Sequence, residues 1–394
     1  MRIRSKLPKC GGITTLTSLA EPTDKLNYQD LSRAQKRAVD IVRDNKDLYE
    51  RFGITLKHGL IIVGSWGSGK SQVLITMKKM GLVGSIQERG ELYRWVTKDV
   101  ELKRESTTKR LLENITELAK KSETPFVALD NPDIPLGSNV TEEAAYNFTL
   151  RLLEEATFGG LPYVVVALNE FTYKKLSEEK KRSMAKIAQH FDIIKLEWST
   201  EDLERAIKTR LPNNLFKNGG VLTKAVAEVA RTPRSAIFLF VRSLRGVKPG
   251  SEARKILFEF VIENGVKNAF NEYVKMLSQS GYKLSKAKSK RWIEVWRTVI
   301  ERKDSRSLVI KLVERKGAES RELTNTLGLG GGYKVAHWPI TAARKYHIIE
   351  RPEPLVYRFT DEFLAASTEY AAGMGETAIE ILENMAELYG KIGR

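Results

Sequence analysis

The sequence predicts an α/β protein in which a parallel sheet, covered by helices on both faces, precedes a helical unit and a C-terminal helix–hairpin unit. Three observations support this fold class. A glycine-rich segment, Gly64–Ser71, lies between an apolar run and a helical pattern. Continuous apolar strands then alternate with amphipathic helices, as in buried parallel sheets. Finally, residues 307–359 carry three helical patterns followed by a hairpin pattern.

The glycine-rich segment has the spacing G-x-x-x-x-G-K-S of a phosphate-binding loop and follows the apolar run Leu60–Val63. Glycines let the backbone curl so that its N–H groups face phosphate oxygens, and the next helix adds its free N–H groups. The segment therefore predicts ATP and Mg²⁺ as cofactors, with Lys70 on the β- and γ-phosphates and the Ser71 hydroxyl on the metal. The predicted nucleotide-binding positions are Gly64, Ser65, Trp66, Gly67, Ser68, Gly69, Lys70, Ser71 and Gln72.

Four further apolar segments, 92–97, 126–130, 163–169 and 193–196, read as strands separated by helices. The carboxyl ends of parallel strands face one crevice, so Asp130 and Asn169 should lie near the phosphate loop. Asp130 is the predicted Mg²⁺ carboxylate, and Asn169 the predicted hydrogen-bond donor to the attacking water or the γ-phosphate. Read singly, Asp130 is equally well a strand-end cap, and Asn169 is equally well a turn residue.

Length and composition limit the partners. The chain has 394 residues, enough for two or three domains, and a formal net charge of +17. Such a charge predicts a polyanionic partner, nucleic acid before an anionic membrane, although a charged thermophile surface has the same composition. One cysteine and four scattered histidines give no disulfide and no metal-ligand spacing. No apolar run approaches the ~18 residues of a membrane span, and we expect a cytoplasmic protein.

The last third resembles the winged helix-turn-helix modules of DNA-binding proteins. Helices are predicted at 307–316, from Ser320, and within 333–346, where Pro339 is a candidate start, and a hairpin is predicted at 347–359. In such modules the third helix enters the major groove and the wing touches the backbone. The predicted contacts to double-stranded DNA are Lys334, His337, Trp338, Thr341, Arg344, Lys345 and Arg351.

Charge placement agrees with this interpretation. Residues 283–351 carry 17 Lys and Arg against 7 Asp and Glu, whereas residues 361–394 carry 2 against 7. The basic charge is therefore local, as expected of a DNA-binding surface, and is not spread over a uniform surface. A single amphipathic helix is predicted over 362–391.

The loop, the Asp130 strand and the Asn169 strand are followed by helical segments at about 200–211, 223–231 and 233–244. This order resembles the AAA+ ATPases. The resemblance implies a helical lid whose third helix carries a sensor-2 arginine, here Arg234. It also implies an arginine finger supplied in trans between subunits, for which Arg182 is the candidate, with Lys181 and Lys186 as competitors. The predicted fold class is thus a P-loop AAA+ parallel sheet, a helical lid and a C-terminal winged helix.

One departure from that family concerns hydrolysis. The family usually has Glu directly after the Mg²⁺ aspartate, whereas this chain has Asn131. An amide cannot take a proton from water, so we expect slow ATP hydrolysis unless Asp133 or Glu170 substitutes.

The order of the units resembles archaeal origin-recognition initiators. The predicted division is an N-terminal arm (1–27), an AAA+ domain (28–199), a lid (200–250), a helical linker (251–302), a winged helix (303–360) and a C-terminal helix (361–394). The long linker and Asn131 favour a divergent member, such as one from a plasmid, virus or integrated element.

Three functions remain open at this point. The leading hypothesis is an ATP-dependent DNA-binding switch of the replication-initiator type, able to self-assemble and to bind replication or recombination proteins. The second is a transposition or partition regulator that binds DNA without sequence preference. The third is a signalling ATPase whose winged helix binds protein.

Overall fold

The computed structural model describes most of the chain. The described residues are 22–23, 25–88, 105–122, 124–133, 142–157, 163–211, 220–243, 253–279, 287–314, 317–328, 331 and 333–390. The strand expected at 92–97 and most of the expected N-terminal arm lie outside these residues.

A five-stranded parallel sheet forms the first half of the molecule. Its strands are β1 (Gly59–Gly64), β2 (Ser85–Glu88), β3 (Val127–Asp130), β4 (Val164–Asn169) and β5 (Phe191–Lys195). Their order across the sheet is β2-β3-β4-β1-β5, so β4 separates the loop-bearing strand β1 from the Asp130 strand β3. All residues of β1 and β4 are buried, as their continuous apolar sequences predict.

Helices cover both faces of this sheet. They are α1 (Arg33–Phe52), α2 (Lys70–Lys79), α3 (Glu105–Lys121), α4 (Glu142–Thr157), α5 (Glu170–Glu179) and α6 (Lys181–His190). Successive side chains of β1 point to opposite faces. Ile61 and Val63 join the apolar core that includes residues of α3 to α6, while Leu60 and Ile62 join the core that includes residues of α1 and α2. The predicted sheet with helices on both faces is confirmed.

The remaining helices and strands pack around one common apolar core. The helices are α7 (Thr200–Arg210), α8 (Gly220–Val229), α9 (Pro233–Ser243), α10 (Ala253–Val261), α11 (Lys267–Gln279), α12 (Ala287–Glu301), α13 (Arg306–Val313), α14 (Ser320–Gly328), α15 (Tyr333–Lys345), α16 (Asp361–Ala372) and α17 (Gly375–Gly390). A π-helical turn, Ile262–Val266, joins α10 to α11. The lid helices α7 to α9 thus share their core with the C-terminal elements.

The predicted C-terminal helix–hairpin unit consists of α13, α14 and α15 with a small antiparallel sheet. Its strands are β6 (Ala318–Glu319), β7 (Ile349–Glu353) and β8 (Val356–Phe359), in the order β6-β8-β7. The order of three helices and then a hairpin is the one the sequence predicts.

The helix predicted within 333–346 begins at Tyr333, and the alternative start Pro339 lies inside it, where its carbonyl accepts a hydrogen bond from Trp296 Nε1 at 3.0 Å. Two other local predictions differ from the structure. The sequence pattern predicts one helix over 174–189, whereas the structure has two helices there, α5 and α6, which meet at Lys180. The helix expected over 362–391 is also two, because Gly373 adopts the left-handed region at φ 82° and ends α16. Among the described residues, none of the helices combines the length and apolarity that a bilayer crossing requires.

Trp296 should contribute strongly to the stability of the C-terminal half. It is fully buried, its ring lies 6.3 Å from that of Phe359, and its Nε1 is hydrogen-bonded. We expect Trp296→Ala to lower the free energy of unfolding by about 3–5 kcal/mol, measured by urea denaturation. The matched control is Trp338→Ala, at a side chain that is 59% exposed, which should change that free energy by about 0.5 kcal/mol or less. Equal effects of the two substitutions would contradict this packing.

Candidate nucleotide site and nucleic-acid interface

The phosphate loop is held by its own lysine. Lys70 begins α2, is buried, and its Nζ donates hydrogen bonds to the carbonyl oxygens of Gly64 at 2.7 Å and Ser65 at 3.1 Å. Gly67 and Gly69 adopt φ values of 70° and 88°, which favour glycine. The loop therefore curls around the ammonium group at the start of a helix, where free backbone N–H groups bind anions well.

Strand register brings the predicted acidic and amide residues to this loop. Gly64 pairs with Asn169 in the sheet, and Asp130 pairs with Ala167 two residues earlier on the same strand. The carboxyl ends of β1, β3 and β4 therefore lie at one edge, as the sequence predicts.

A cavity of about 250 Å³ opens at that edge. Its walls include loop residues 66–72, Asp130 with Asn131, and Trp198 after β5. Arg210 and Arg234 complete it from the lid, and residues of the segment 22–35 form a further wall. Ser71 and Asp130 both line this cavity, and Mg²⁺ is commonly held by one or two protein oxygen ligands together with substrate phosphates. The residues present therefore fit the predicted metal.

Lys70 has a strongly perturbed pKa. Burial lowers the pKa of the ammonium to about 8, although the nearby carboxylates of Asp133, Asp130 and Glu170 act to raise it. A bound triphosphate would stabilise the charged form further, since an opposite charge nearby favours ionisation.

The position after Asp130 cannot supply a base. Asn131 adopts φ 51°, its Nδ2 donates to Asp130 Oδ1 at 2.9 Å, and it lines the nucleotide cavity. The amide thus occupies the place where the AAA+ ATPases that the sequence resembles usually carry Glu, and it contacts the carboxylate predicted to hold the metal.

Asn169 has a capping role in the structure. Its side-chain oxygen accepts the Phe171 N–H at 3.0 Å and begins α5, while its own N–H donates to Asp133 Oδ2 at 3.0 Å. It does not line the cavity. Its contact with a γ-phosphate stays a prediction.

The two candidate substitutes for the catalytic Glu lie beside the cavity and not on its wall. Asp133 is buried and Glu170 is half-buried, and burial raises the pKa of both carboxyls. The Asn169 N–H and the Lys70 charge oppose that rise at Asp133, and the Lys174 charge opposes it at Glu170. Glu170 lines a second cavity, described below.

The two predicted arginines differ in placement. Arg234 is the second residue of α9 and lies against the loop, where a Cβ on Gly67 would come within 2.7 Å of the Arg234 Cβ. Arg182 is exposed on α6, as are Lys181 and Lys186, and it does not line the cavity of its own chain. A role for Arg182 in a neighbouring subunit stays a prediction.

Three residues at the site escaped the sequence reasoning. Gln35 Nε2 donates to the Gly69 carbonyl at 3.1 Å, Trp198 Nε1 to the Ser68 carbonyl at 2.9 Å, and Arg210 Nη2 to Gln72 Oε1 at 2.8 Å. None belongs to a motif. The only signal for Arg210 is its position in the last turn of the first lid helix.

Most of the predicted DNA contacts share one exposed surface. His337, Trp338, Thr341, Arg344 and Lys345 are exposed on α15, at spacings that place them on neighbouring turns. Arg351 is exposed on β7 and, with Arg344 and Lys345, borders a shallow groove between helix and hairpin. Lys334 lies in the first turn of α15, and its side chain is outside the described residues.

Comparisons with known proteins give fold similarity at low identity. No protein-family model matches the chain, and no curated protein matches its sequence. Similar solved structures include the ORC2 protein of Aeropyrum pernix (13% identity, TM-score 0.41, 93% of this chain and 97% of that chain). A Walker-type ATPase of Pyrococcus abyssi is 12% identical, with a TM-score of 0.44 over 89% of this chain and 99% of that one.

A third similar structure is a DNA replication initiation factor (15% identity, TM-score 0.43, 82% of this chain and 99% of that chain). All three TM-scores are below 0.5, so the description of the site rests on the chain's own geometry.

The depressed pKa of Lys70 predicts proton uptake on ATP binding. Near pH 8 about half of the free protein carries neutral Lys70, and phosphate binding should return the proton. Calorimetry at pH 8 in buffers of different ionisation enthalpy should therefore give different apparent heats, and ATP affinity should fall as the pH rises above about 8. At pH 7 the uptake should shrink to roughly one-tenth of a proton. Heats at pH 8 that do not depend on the buffer would contradict a buried, phosphate-facing Lys70.

Proposed function

We propose that this chain is an ATP-dependent DNA-binding switch of the replication-initiator type. One observation carries the proposal. The lid places Arg210 and Arg234 on the wall of the nucleotide cavity, and the lid helices share their core with the unit that exposes the basic surface of α15. A nucleotide in the cavity would therefore contact a structure that is continuous with the DNA-binding surface.

The proposed ATP site uses the loop residues as the sequence predicts. The loop N–H groups and Lys70 would hold the phosphates, and Ser71 and Asp130 would hold Mg²⁺, which neutralises phosphate charge. Arg234 faces the loop and would contact the γ-phosphate. Arg182, exposed on α6, would reach the nucleotide of a neighbouring subunit in an assembly.

The proposed hydrolysis is slow. The first residue after Asp130 is an amide that contacts that carboxylate, and neither Asp133 nor Glu170 lines the cavity. A site without a general base loses roughly 10²–10⁴-fold in rate. The protein would then hold ATP for long periods, which suits a switch.

The proposed DNA contacts are those of a winged helix. The α15 surface would enter the major groove, and Arg351 on the hairpin would contact a phosphate. The exposed cations supply the charge that dominates nucleic-acid affinity.

A second candidate, protein binding by the same unit, is favoured by two exposed apolar side chains. Trp338 on α15 and Leu355 at the hairpin tip are 59% and 64% exposed. Contiguous exposed apolar patches mark protein contacts, and these two side chains would contribute apolar area to such a patch.

Asn131→Glu should speed hydrolysis. A carboxylate at this position could accept a proton from the attacking water, and we expect kcat to rise by about 10- to 100-fold, below the full general-base effect because φ is 51° here. Steady-state phosphate release measures it, with Asn131→Gln as the control that adds length without a base. A wild-type turnover equal to that of Asn131→Glu would contradict the proposed slow site.

Charge reversal tests the DNA interface directly. The double variant Arg344→Glu/Lys345→Glu should weaken binding to a 30-base-pair duplex by at least about 100-fold and lower the salt slope by about 2, because two phosphate contacts are lost. The matched control is Lys109→Glu/Lys120→Glu, the same charge change at exposed positions on the ATPase half. Equal losses for both pairs would indicate non-specific attraction, and no loss for either would favour protein binding.

A further inference from the structure

A second cleft, of about 450 Å³, separates the ATPase sheet from the C-terminal elements. On its ATPase side lie Ser65 of the phosphate loop and Trp198, which also lines the nucleotide cavity. Its opposite side is formed by α16 and by residues at the end of α15 and in the hairpin. The nucleotide site and the proposed DNA-binding unit therefore border the same cleft.

One carboxylate in this cleft has partners on both sides. Glu362, in the first turn of α16, forms an ion pair through Oε1 with Lys174 of α5. Its other oxygen, Oε2, lies 3.1 Å from Nε2 of His347, which follows α15. The Glu362 side chain is only 13% exposed, so its charge depends on these partners. Burial alone would raise its pKa, but the His347 hydrogen bond and the Lys174 charge hold that pKa at about 2.

Lys174 is one turn from the nucleotide edge. It lies on α5, whose first turn is capped by Asn169, and Asn169 pairs in the sheet with Gly64. The backbone N–H of Asn169 donates to the carboxylate of Asp133. That carboxylate lies close enough to Lys70 to raise the pKa of the lysine. A shift of the strand end or the loop would therefore move α5.

His347 ends the helix proposed to enter DNA. It has φ 55°, its N–H donates to the Arg344 carbonyl at 3.0 Å, and its carbonyl accepts the Thr360 hydroxyl at 2.7 Å. The two exposed cations Arg344 and Lys345 form the end of α15, and only Tyr346 separates them from His347. The position of the His347 ring is thus tied to the position of the proposed DNA contacts.

We propose that Glu362 is a positioning residue that couples nucleotide state to DNA affinity by joining Lys174 of α5 to His347 at the end of α15. The inference rests on the proposed function, and it names how the two sites of that function communicate. A nucleotide that shifts α5 would change the Lys174–Glu362 contact. It would thereby also change the hydrogen bond between Glu362 and His347. Buried ion pairs suit this role because losing one partner leaves an unpaired charge, which favours discrete arrangements over intermediate ones.

The chain provides a matched control for this link. Lys175, the next residue of α5, pairs with Glu387 of α17. That pair also joins the ATPase half to the C-terminal half, but its carboxylate belongs to α17, whereas the carboxylate 3.1 Å from His347 is that of Glu362 in α16. Removing the Lys175–Glu387 pair tests whether the loss of any ion pair between the two halves is enough to abolish the coupling.

The experiment measures a coupling ratio: the duplex-DNA dissociation constant with ADP divided by that with a non-hydrolysable ATP analogue, by fluorescence anisotropy. Allosteric coupling is typically about 5- to 150-fold. We expect Glu362→Gln and Lys174→Met each to bring the ratio to within about twofold of 1. Lys174→Arg, Lys175→Met and Glu387→Gln should each keep the wild-type ratio. Nucleotide affinity should stay within about threefold in all five variants, because none lies on the nucleotide cavity.

The outcomes separate this inference from the proposed function. A wild-type protein whose DNA affinity does not depend on nucleotide would refute the proposed switch. A coupled wild type with an unchanged ratio in Glu362→Gln and Lys174→Met would overturn only the role of Glu362. If Glu362→Gln does not fold, His347→Asn breaks the same link and fits the left-handed backbone. The coupling ratio of that variant should also fall to about 1. A wild-type ratio in that variant would equally overturn the role of Glu362.

Discussion

The position of the interior strand β1 is the constraint on which the rest of the structure depends. This strand is buried on both faces and paired in parallel with β4 and β5, so its end can lie in only one place. That register sets Gly64 beside Asn169 and turns the chain into the curled loop closed by Lys70. A slip by one residue would exchange the side chains that β1 presents to its two apolar cores and disrupt the packing of both, which is why the register is firmly specified.

Features fixed by local chemistry could be predicted from the sequence. The loop follows from its glycine spacing, and the Asp130 and Asn169 strand ends follow from apolar runs that stop at a polar residue. Arg234 is implied by the resemblance to AAA+ lids, and the preceding Pro233 suits the first turn of a helix. Each of these patterns depends on residues a few positions apart.

Features set by tertiary packing could not be predicted. Pro339 lies inside α15, where Trp296 of a distant helix donates to its carbonyl, and that contact leaves no pattern in the local sequence. The break at Gly373 coincides with the approach of Arg242, whose Nη1 would be 2.2 Å from a Cβ at that glycine. In the sequence, nothing distinguishes Glu362 from the other acidic residues of the negatively charged segment 361–394. Its importance comes from Lys174 and His347, which are 188 and 15 residues away along the chain.

Together these features describe a half with the candidate nucleotide site and a C-terminal half proposed to bind DNA, which are joined in two places. The lid arginines meet the loop at the nucleotide cavity, and α5 meets α16 at the charged cleft. Asn131 beside Asp130 would slow hydrolysis, so the bound nucleotide would persist long enough to set the arrangement of both contacts. The proposed output is a change in the affinity of the α15 surface for DNA.

Thermodynamic linkage between ATP binding and DNA binding provides the most direct test of the proposed switch. If ATP changes DNA affinity, DNA must change ATP affinity by the same factor. The dissociation constant of a fluorescent, non-hydrolysable ATP analogue should therefore differ by at least about fivefold between the free protein and the protein saturated with duplex DNA. Identical dissociation constants under the two conditions would contradict an ATP-dependent DNA-binding switch.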